Sequence, residues 1–243
     1  MEILFTDTLL PGQEEDIRRM TAACSGSLPE ECDGWWLAVD NNGSVLSFLS
    51  LCQVGEERWE GTAFTRVQLR RRGYFSLILR EACRNGRIPG NGELVFPVQK
   101  ADRETCAVMN AIGAGLLCEE RLMERKLCRE MPQDDMCASF TYSVTGQQSG
   151  TYQVFMDTSD KKAAAAFSLE LYETSACLYD FSVRSDLRNR GIGRAVLEQL
   201  FIRLANDGVT RLILQVSGDN TAAISLYEKT GFCTTEALLY FLY

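Results

Sequence analysis

Short runs of apolar residues separated by polar turn residues dominate the first third of the chain. The segments 34–40, 43–52 and 59–67 have this pattern, and Asn41-Asn42-Gly43 supplies a turn signal between the first two. The pattern predicts successive strands joined by tight turns. Ahead of them, apolar residues at positions 17, 20 and 24 follow helical spacing, which predicts a helix over 14–24.

The second half of the chain predicts a series of strands followed by an alternation of helices and a strand. The predicted strands are 139–144, 151–157, 167–173, 176–183 and 211–216. The alanine-rich residues 161–167 favour a helix by propensity, but we interpret them as a turn and the start of a strand. Apolar side chains on one face predict an amphipathic helix over 191–206, and a further helix over 221–230 ends at Gly231.

An offset of 118 residues relates the two halves of the chain. It places TRVQLRRRGYFSLIL (65–79) on VRSDLRNRGIGRAVL (183–197), and without a gap it brings Leu94 onto Leu212 and Gly113 onto Gly231. Agreement at one offset over such a length indicates an internal duplication. The sequence therefore predicts two domains, 1–131 and 136–243, joined by a short polar linker.

Composition and charge restrict the class of protein. The chain has 243 residues and a net charge of −8. An acidic chain of this kind is not expected to bind nucleic acid, which requires a basic surface. The negative charge is consistent with a role in solubility and also with a cationic substrate. It has no apolar run of about 18 residues, so no membrane partner is expected. Its ten cysteines include no C-x-x-C pair, and acidic residues near the N-terminus do not fit a signal peptide. We expect reduced thiols and a cytoplasmic location.

Histidine is absent from the sequence. Catalysis by a Ser-His-Asp or Cys-His arrangement is therefore excluded, and we expect no catalytic metal. Any chemistry has to be carried by other residue types.

The strand that ends at 181–183 is followed by a glycine-bearing turn and a helix. Glycine lets the backbone approach a ligand closely, and the unpaired N–H groups of a first helical turn attract phosphate oxygens. Arginines on either side add positive charge. The candidate pyrophosphate-binding residues are Arg188, Asn189, Arg190, Gly191, Ile192, Gly193 and Arg194.

One strand later, the sequence NTAAISLYEKTGF begins at Asn220 and includes Tyr227, Gly231 and Phe232. The R-x-x-G-x-G turn followed by N-x(6)-Y-x(3)-G-F resembles motifs A and B of the Gcn5-related N-acetyltransferase (GNAT) superfamily. The resemblance is close over 178–243 and extends loosely over the whole chain through the repeat. It implies an α+β fold of two tandem GNAT-like domains, each a mixed, mostly antiparallel sheet flanked by helices, the acyl-CoA N-acyltransferase fold.

The resemblance also implies the function and the roles of individual residues. Acetyl-CoA would be the co-substrate, without a metal, and its acetyl group would pass to a primary amine of a small molecule or peptide by direct attack in a ternary complex. Backbone groups of Phe181, Ser182 and Val183 would contact the pantetheine arm, with the Val183 N–H near the thioester carbonyl. Asn220 would contact the coenzyme near its pantetheine, and Tyr227 would be the general acid. The alternative is a non-catalytic acyl-CoA-binding sensor or interaction module. A nucleotide-binding α/β protein fits less well, because no acidic ribose partner follows the glycine turn by about 20 residues.

The general base is left open by the sequence. Protein N-terminal acetyltransferases of this superfamily commonly carry a glutamate at the position of Gln215, which cannot accept a proton in that way. The remaining candidates are Asp180, Glu170 and Glu173 on neighbouring strands, which also fit solvated charges at strand edges, and a chain of water molecules.

The first copy departs from the motif pattern. Phe75 corresponds to Gly193, Asp102 to Asn220 and Met109 to Tyr227. The first domain is therefore predicted to be degenerate, either binding coenzyme without turnover or serving as a scaffold, and the second to be catalytic. Only six residues separate the first two strands of the second copy. Six residues leave no room for the helical pair that usually walls the acceptor site in the family. The resemblance therefore implies an acceptor pocket that is either open or walled by the first copy. The oligomeric state is not predicted.

Overall fold

The computed structural model describes residues 1–22, 32–84, 92–128, 140–145, 150–156 and 162–243. The chain divides into two compact units. The first unit contains Met1–Cys118 together with Leu238–Tyr243, and the second contains Glu119–Ala237. No helix in the described ranges is long and apolar enough to cross a membrane.

The first unit is a mixed sheet with helices on both faces. Its elements are β1 (Glu2–Thr6), α1 (Pro11–Ala22), β2 (Gly34–Val39), β3 (Val45–Gln53), β4 (Arg58–Thr65), α2 (Tyr74–Arg84), β5 (Glu93–Gln99) and α3 (Arg103–Ala111). The strands are ordered β1-β2-β3-β4-β5, and only β4 and β5 run parallel. Residues 238–242 complete this sheet by pairing antiparallel with β5.

Both faces of this first sheet bury apolar side chains, which is why its strands read as nearly continuous hydrophobic runs. Every residue of β2 is buried. Trp36, Leu49 and Phe96 pack with residues of α2 in one cluster. Trp35 and Phe48 pack with Ile17 of α1 in a second cluster. Alternate residues of a strand point to opposite faces, so such a strand needs apolar residues at every position.

The second unit repeats this plan with one helix fewer in its described part. It contains β7 (Phe140–Thr145), β8 (Gly150–Met156), β9 (Ala163–Leu171), β10 (Ser175–Val183), α4 (Ile192–Asn206), β11 (Arg211–Ser217) and α5 (Thr221–Lys229). The order is β7-β8-β9-β10-β11, with β10 and β11 parallel. Residues 120–126, from β6 (Gly115–Lys126), pair antiparallel with β11. The last strand, β12, spans Cys233–Leu242.

The core of the second unit lies between its sheet and the helices α4 and α5. Leu178 and Leu214 from the sheet, Leu200 and Phe201 from α4, and Tyr227 from α5 belong to one buried cluster. The apolar positions of α4 therefore face the sheet, as the helical spacing in the sequence predicts.

The predicted duplication is confirmed in detail by the elements. At the same offset of 118 residues, β3 coincides with β9, β5 with β11 and α3 with α5, and α2 and α4 begin at equivalent residues. The alanine-rich segment is a strand from Ala163 onward, as predicted, because its residues continue the ladder with β10. The fold class is confirmed.

The bounds of the compact units differ from the predicted domains, 1–131 and 136–243. The difference arises because residues 119–126 pair with β11 and residues 238–242 pair with β5. In each repeat, the later part of the strand after the last helix therefore belongs to the other compact unit. The predicted linker, 132–135, lies outside the described residues.

Candidate active site

A gap opens between β10 and β11 part of the way along the two strands. Their ladder ends at the pair Leu178–Leu214, although both strands continue. On its other side, β10 has an irregularity between Tyr179 and Ser182, and pairing with β9 resumes at Ser182. Asp180, inside this bulge, has a left-handed backbone with φ of 51°. A bulge bends its strand, so β10 turns away from β11 and leaves a wedge-shaped opening.

The residues predicted to contact pantetheine line β10 along this wedge. Phe181 points to the helix side, with its ring centroid 6.3 Å from Phe167 and 6.5 Å from Tyr227. Ser182 Oγ donates a hydrogen bond to the carbonyl of Ala166 at 3.5 Å. The carbonyl of Val183 accepts from Arg188 Nε at 3.0 Å. This hydrogen bond links the turn between β10 and α4 to the end of β10.

The turn between β10 and α4 presents backbone N–H groups at a helix start. Asn189 and Gly191 both have left-handed backbones, with φ of 58° and 81°. Gly191 is the N-cap of α4 and has no side chain to cap it. The first helical hydrogen bond runs from Ala195 N–H to the Gly191 carbonyl. The N–H groups of Ile192 and Gly193 precede it, and N–H groups at this position of a helix bind anions in other proteins.

Positive charge surrounds this helix start. Arg188, Arg190 and Arg194 are exposed, and Arg194 also contacts Glu198 at 2.7 Å. Arg184 pairs with Asp186 at 2.7 Å, and this hydrogen bond is the main cause of the lowered pKa of Asp186. Together with the helix dipole, these groups suit a doubly charged diphosphate.

Gly193 brings the first turn of α4 close to its neighbours. A Cβ at this position would lie 3.1 Å from Leu226 Cδ2 and 3.4 Å from Val183 Cγ2. Those distances are at or inside the lower end of ordinary packing, so a larger residue would push α4 away from β10 and α5. The second glycine of the motif therefore fixes the wall of the wedge.

Asn220 has a structural role that the motif alone does not show. It is the N-cap of α5, and its Oδ1 accepts from Ala223 N–H at 3.1 Å. An N-cap side chain satisfies one of the orphan donors of its helix. The amide nitrogen of Asn220 is still available as a donor toward a ligand, so the predicted coenzyme contact remains a prediction.

Tyr227 is enclosed by aromatic rings on the inner side of α5. Its side chain is 6% exposed, and its ring centroid lies 5.6 Å from Phe232 and 6.5 Å from Phe181. Burial raises the pKa of the phenol above its ordinary value. The phenol therefore keeps its proton at neutral pH and can act as a hydrogen-bond donor.

The candidate bases occupy different environments. Gln215 is exposed on β11, Asp180 is exposed in the bulge, and Glu173 is exposed in the β9–β10 turn. Glu170 is half-buried and accepts a hydrogen bond from the Tyr179 hydroxyl at 3.0 Å. The sequence reasoning missed Tyr179. Strand alternation puts it on a face with Cys177, but only the register of β9 against β10 brings Glu170 beside it.

The described residues offer no alternative built around a metal. Within the described ranges no three His, Cys, Asp or Glu residues come together in a way that could hold an ion. The groups that converge on the wedge are backbone N–H groups, arginines and a phenol.

The first unit keeps the same turn, and its parallel ladder also ends early, because β4 and β5 pair only as far as Glu60–Val95 although both strands continue. Arg71 and Gly73 repeat the left-handed backbones of Asn189 and Gly191, with φ of 62° and 83°. The β3–β4 ladder, however, runs without a bulge. Phe75 packs edge-on against Phe96, with ring centroids 6.0 Å apart.

The turn of the first unit also differs from that of the second unit in the charges and side chains around it. Arg70 and Arg71 lie 3.5 Å and 3.7 Å from the carboxylate of Glu104. A Cβ at Gly61 would lie 2.5 Å from the Phe96 ring. Arg70 and Arg71 are thus already facing an anion, and the Phe96 ring lies against Gly61.

A mixed sheet that splays beside a glycine turn at a helix start, with a buried tyrosine on the next helix, defines the acyl-CoA N-acyltransferase fold class. Residues 120–232 match the model of the acetyltransferase (GNAT) family. The match covers nearly all of the second unit, Glu119–Ala237. This region of the chain is thus similar to the GNAT family, and the resemblance seen in the motifs is confirmed.

Sequence relatives match about a third of the chain. The chain is 38% identical over 87 residues to the [ribosomal protein bS18]-alanine N-acetyltransferase of Salmonella typhimurium, which covers 36% of this chain and 59% of that enzyme. It is 39% identical over 85 residues to the enzyme of the same name from Escherichia coli K12, covering 35% and 57%. The matches thus span less than two thirds of these relatives.

Solved structures resemble the chain over its full length. A GCN5-related N-acetyltransferase from Sphaerobacter thermophilus matches with a TM-score of 0.72 and 13% identity, covering 99% of this chain and 95% of that one. A tandem GNAT protein from the clavulanic acid biosynthesis pathway matches with a TM-score of 0.65 and 13% identity, covering 100% and 98%. At such identity the likeness establishes the fold alone.

Proposed function

We propose that the second unit transfers an acetyl group from acetyl-CoA to a primary amine of a small molecule or peptide. The proposal rests on the observation that the start of α4 and the phenol of Tyr227 both lie beside the wedge between β10 and β11. The wedge beyond Leu178 and Leu214 has the arginine-flanked start of α4 at one end and the buried Tyr227 on its helix side.

The residues present fit the coenzyme. The N–H groups at the start of α4, with Arg188, Arg190 and Arg194, would hold the pyrophosphate. The extended residues 181–183 lie between that turn and the apex of the wedge, where their backbone groups would run beside the pantetheine. Gly193 keeps α4 close enough to β10 to bound the channel. Asn220 would add an amide donor while its Oδ1 caps α5.

The chain's own groups would then assist a direct transfer. The amine nitrogen attacks the thioester carbonyl, the C–N bond forms and the C–S bond breaks. The leaving group is a thiolate, and the pKa of a free thiol such as that of cysteine is near 8.5. A phenol held in contact with the thiolate can therefore stabilise it and deliver a proton to it. Burial keeps Tyr227 in the protonated form that this step needs. Holding both reactants together supplies a further part of the rate.

The acceptor class is supported by the sequence relatives. The enzymes from Salmonella typhimurium and Escherichia coli are named for acetylating an alanine of ribosomal protein bS18. We therefore place peptide amines among the acceptors to be tested, beside small-molecule amines. The lack of a C-x-x-C pair and the acidic charge support a cytoplasmic reaction without nucleic acid or membrane.

Two measurements on the full-length chain test the proposal. Calorimetry with acetyl-CoA should detect binding, and product mass after incubation with a panel of small and peptide amines should show acetylation of at least one. Binding without product on any amine would favour the non-catalytic acyl-CoA-binding alternative. No binding of any acyl-CoA would overturn both.

A further inference from the structure

One face of the second sheet, opposite α4 and α5, carries a rung of side chains across four strands. Glu170 of β9 pairs with Cys177 of β10, Cys177 with Ile213 of β11, and Ile213 with Glu124 of β6. The neighbouring rung, which contains Leu178 and Leu214, faces the helices instead. By strand alternation, the Glu170 rung lies on the side that the helical core leaves open.

Glu170 is surrounded there by phenols and a thiol. Tyr179 OH donates to its carboxylate at 3.0 Å. Hydrogen bonding to Glu170 is also the main cause of a raised pKa of Tyr172. Tyr179 in turn hydrogen-bonds to Cys177, the first cause of its own raised pKa. Arg211 of β11 lies on the same face as Ile213, and its guanidinium lies 3.8 Å from the carboxylate of Glu124 on β6.

The cluster remains accessible. Tyr179 is 40% exposed and Tyr172 is 54% exposed. A carboxylate flanked by two aromatic rings can bind an ammonium group. The carboxylate attracts its charge and accepts its hydrogen bonds, and the rings add cation–π attraction. Neutral phenols donate to the carboxylate without cancelling its charge.

The cluster also borders the apex of the wedge. Tyr179 is the first residue of β10 beyond the last rung that β10 shares with β11. An acyl group at the apex is walled by α4 and α5 on one side, so an amine has to approach from the other. The small side chain of Cys177 stands between Glu170 and the wedge and leaves that path open.

The first unit has no counterpart of this cluster. At the equivalent positions, it has Cys52 for Glu170, Trp59 for Cys177 and Gly61 for Tyr179. Trp59 is buried in the core of that unit. The cluster is thus confined to the unit in which the strand before the turn has a bulge.

We propose that Glu170, oriented by Tyr179, binds the ammonium group of the acceptor and accepts the proton that the amine loses before attack. The inference rests on the proposed acyl transfer. In the balanced step, the ammonium passes one proton to the Glu170 carboxylate, the freed lone pair forms the C–N bond, and the nitrogen then loses its second proton to solvent. The C–S bond breaks, and the sulfur receives the Tyr227 proton. Solvent then returns both residues to their starting forms.

The test compares Glu170→Gln with Glu173→Gln, a matched change three residues away on the exposed turn. With an amine that the wild type acetylates, Glu170→Gln should raise KM for the amine about tenfold and lower kcat about 10²-fold. Its affinity for acetyl-CoA, measured by calorimetry, should change less than about twofold. Glu173→Gln should behave as wild type in all three measurements. Tyr179→Phe should raise the amine KM about threefold with little change in kcat.

A pH series separates a chemical role from a structural one. The deficit of Glu170→Gln should shrink as the pH approaches the pKa of the amine, because a neutral amine no longer needs a proton acceptor. A deficit that is equal at every pH, or wild-type kinetics in Glu170→Gln, would overturn the inference while leaving acyl transfer intact. Failure of the wild type to acetylate any amine would instead remove the proposed function itself.

Discussion

The two units share a backbone turn and a parallel ladder that ends early, but they differ in the strand before the turn and in the side chains beside it. Asn189 and Gly191 adopt nearly the same φ values as Arg71 and Gly73. In the second unit, the strand before the turn has a bulge. In the first, the equivalent ladder is regular, and Phe75 packs edge-on against Phe96.

Charge separates the units in the same way. Glu104, in the first turn of α3, faces Arg70 and Arg71, whereas the second unit has Ala222 at the equivalent position. A resident carboxylate competes with any incoming phosphate for the same arginines. The comparison teaches that the same turn geometry can stand in different surroundings of charge and packing. Each of the following predictions tests one part of that contrast.

The largest effect is expected from cutting the chain where the sequence pattern places its boundary. Residues 133–243 alone lack the strand that pairs with all of Arg211–Ser217. They also lack Met123, which is fully buried in the core of the second unit. We expect this fragment to show no cooperative thermal unfolding by circular dichroism.

A fragment that begins at residue 119 is the matched control, since it retains the missing strand. It should be more soluble and more structured than the shorter fragment. A cooperative transition in residues 133–243 would contradict the assignment of residues 119–126 to the second unit.

The next largest effect is expected at the phenol. Tyr227→Phe should lower kcat by about 10²–10⁴-fold and leave acetyl-CoA affinity nearly unchanged, because only the proton donor is lost. Met109→Leu, at the equivalent position of the first unit, should leave both unchanged. Steady-state kinetics and calorimetry measure the two effects.

The decrease of kcat at alkaline pH gives a second test of the role of Tyr227. Burial raises its pKa above the ordinary 10.0, so loss of the phenolic proton should reduce kcat only above about pH 10. Stability from this group should likewise be present below pH 10 and fall as the pH rises past it. The kcat limb should be absent in Tyr227→Phe, and its persistence there would assign it to another group.

A smaller effect is expected from making the second unit resemble the first at the turn. Gly193→Phe should weaken acetyl-CoA binding at least about tenfold, or about 1.4 kcal/mol, because the added side chain starts 3.1 Å from Leu226. The reverse change, Phe75→Gly, should create no second binding event in calorimetry. Two acetyl-CoA molecules bound per Phe75→Gly chain would show that aromatic filling alone closes the first site.

The smallest effect is expected at the two helix caps. Asn220 and Asp102 accept from the backbone N–H groups of Ala223 and Thr105 at 3.1 Å and 3.0 Å. Asn220→Ala and Asp102→Ala should each lower the free energy of unfolding by about 1 kcal/mol. Only Asn220→Ala should also weaken acetyl-CoA binding. Equal binding in the two variants would confine Asn220 to its capping role.

Much of this protein could be predicted from local patterns. The repeat at a fixed offset, the helices over α4 and α5, and the strand at the alanine-rich segment all follow from spacing that a short window contains. The motif residues at the turn of α4 and at Tyr227 indicated the family before any contact was known. Their positions in the structure agree with one opening, while their roles stay predictions.

Tertiary structure decided what depends on partners far apart in the chain. Hydrophobic periodicity specifies which face of a strand is buried, but not the strand beside which it lies. The sequence therefore placed residues 119–126 in the first domain, whereas they pair with β11. For the same reason Glu170 and Tyr179 met only through the β9–β10 register, and the bulge at Asp180 and the capping role of Asn220 emerged only in the folded chain.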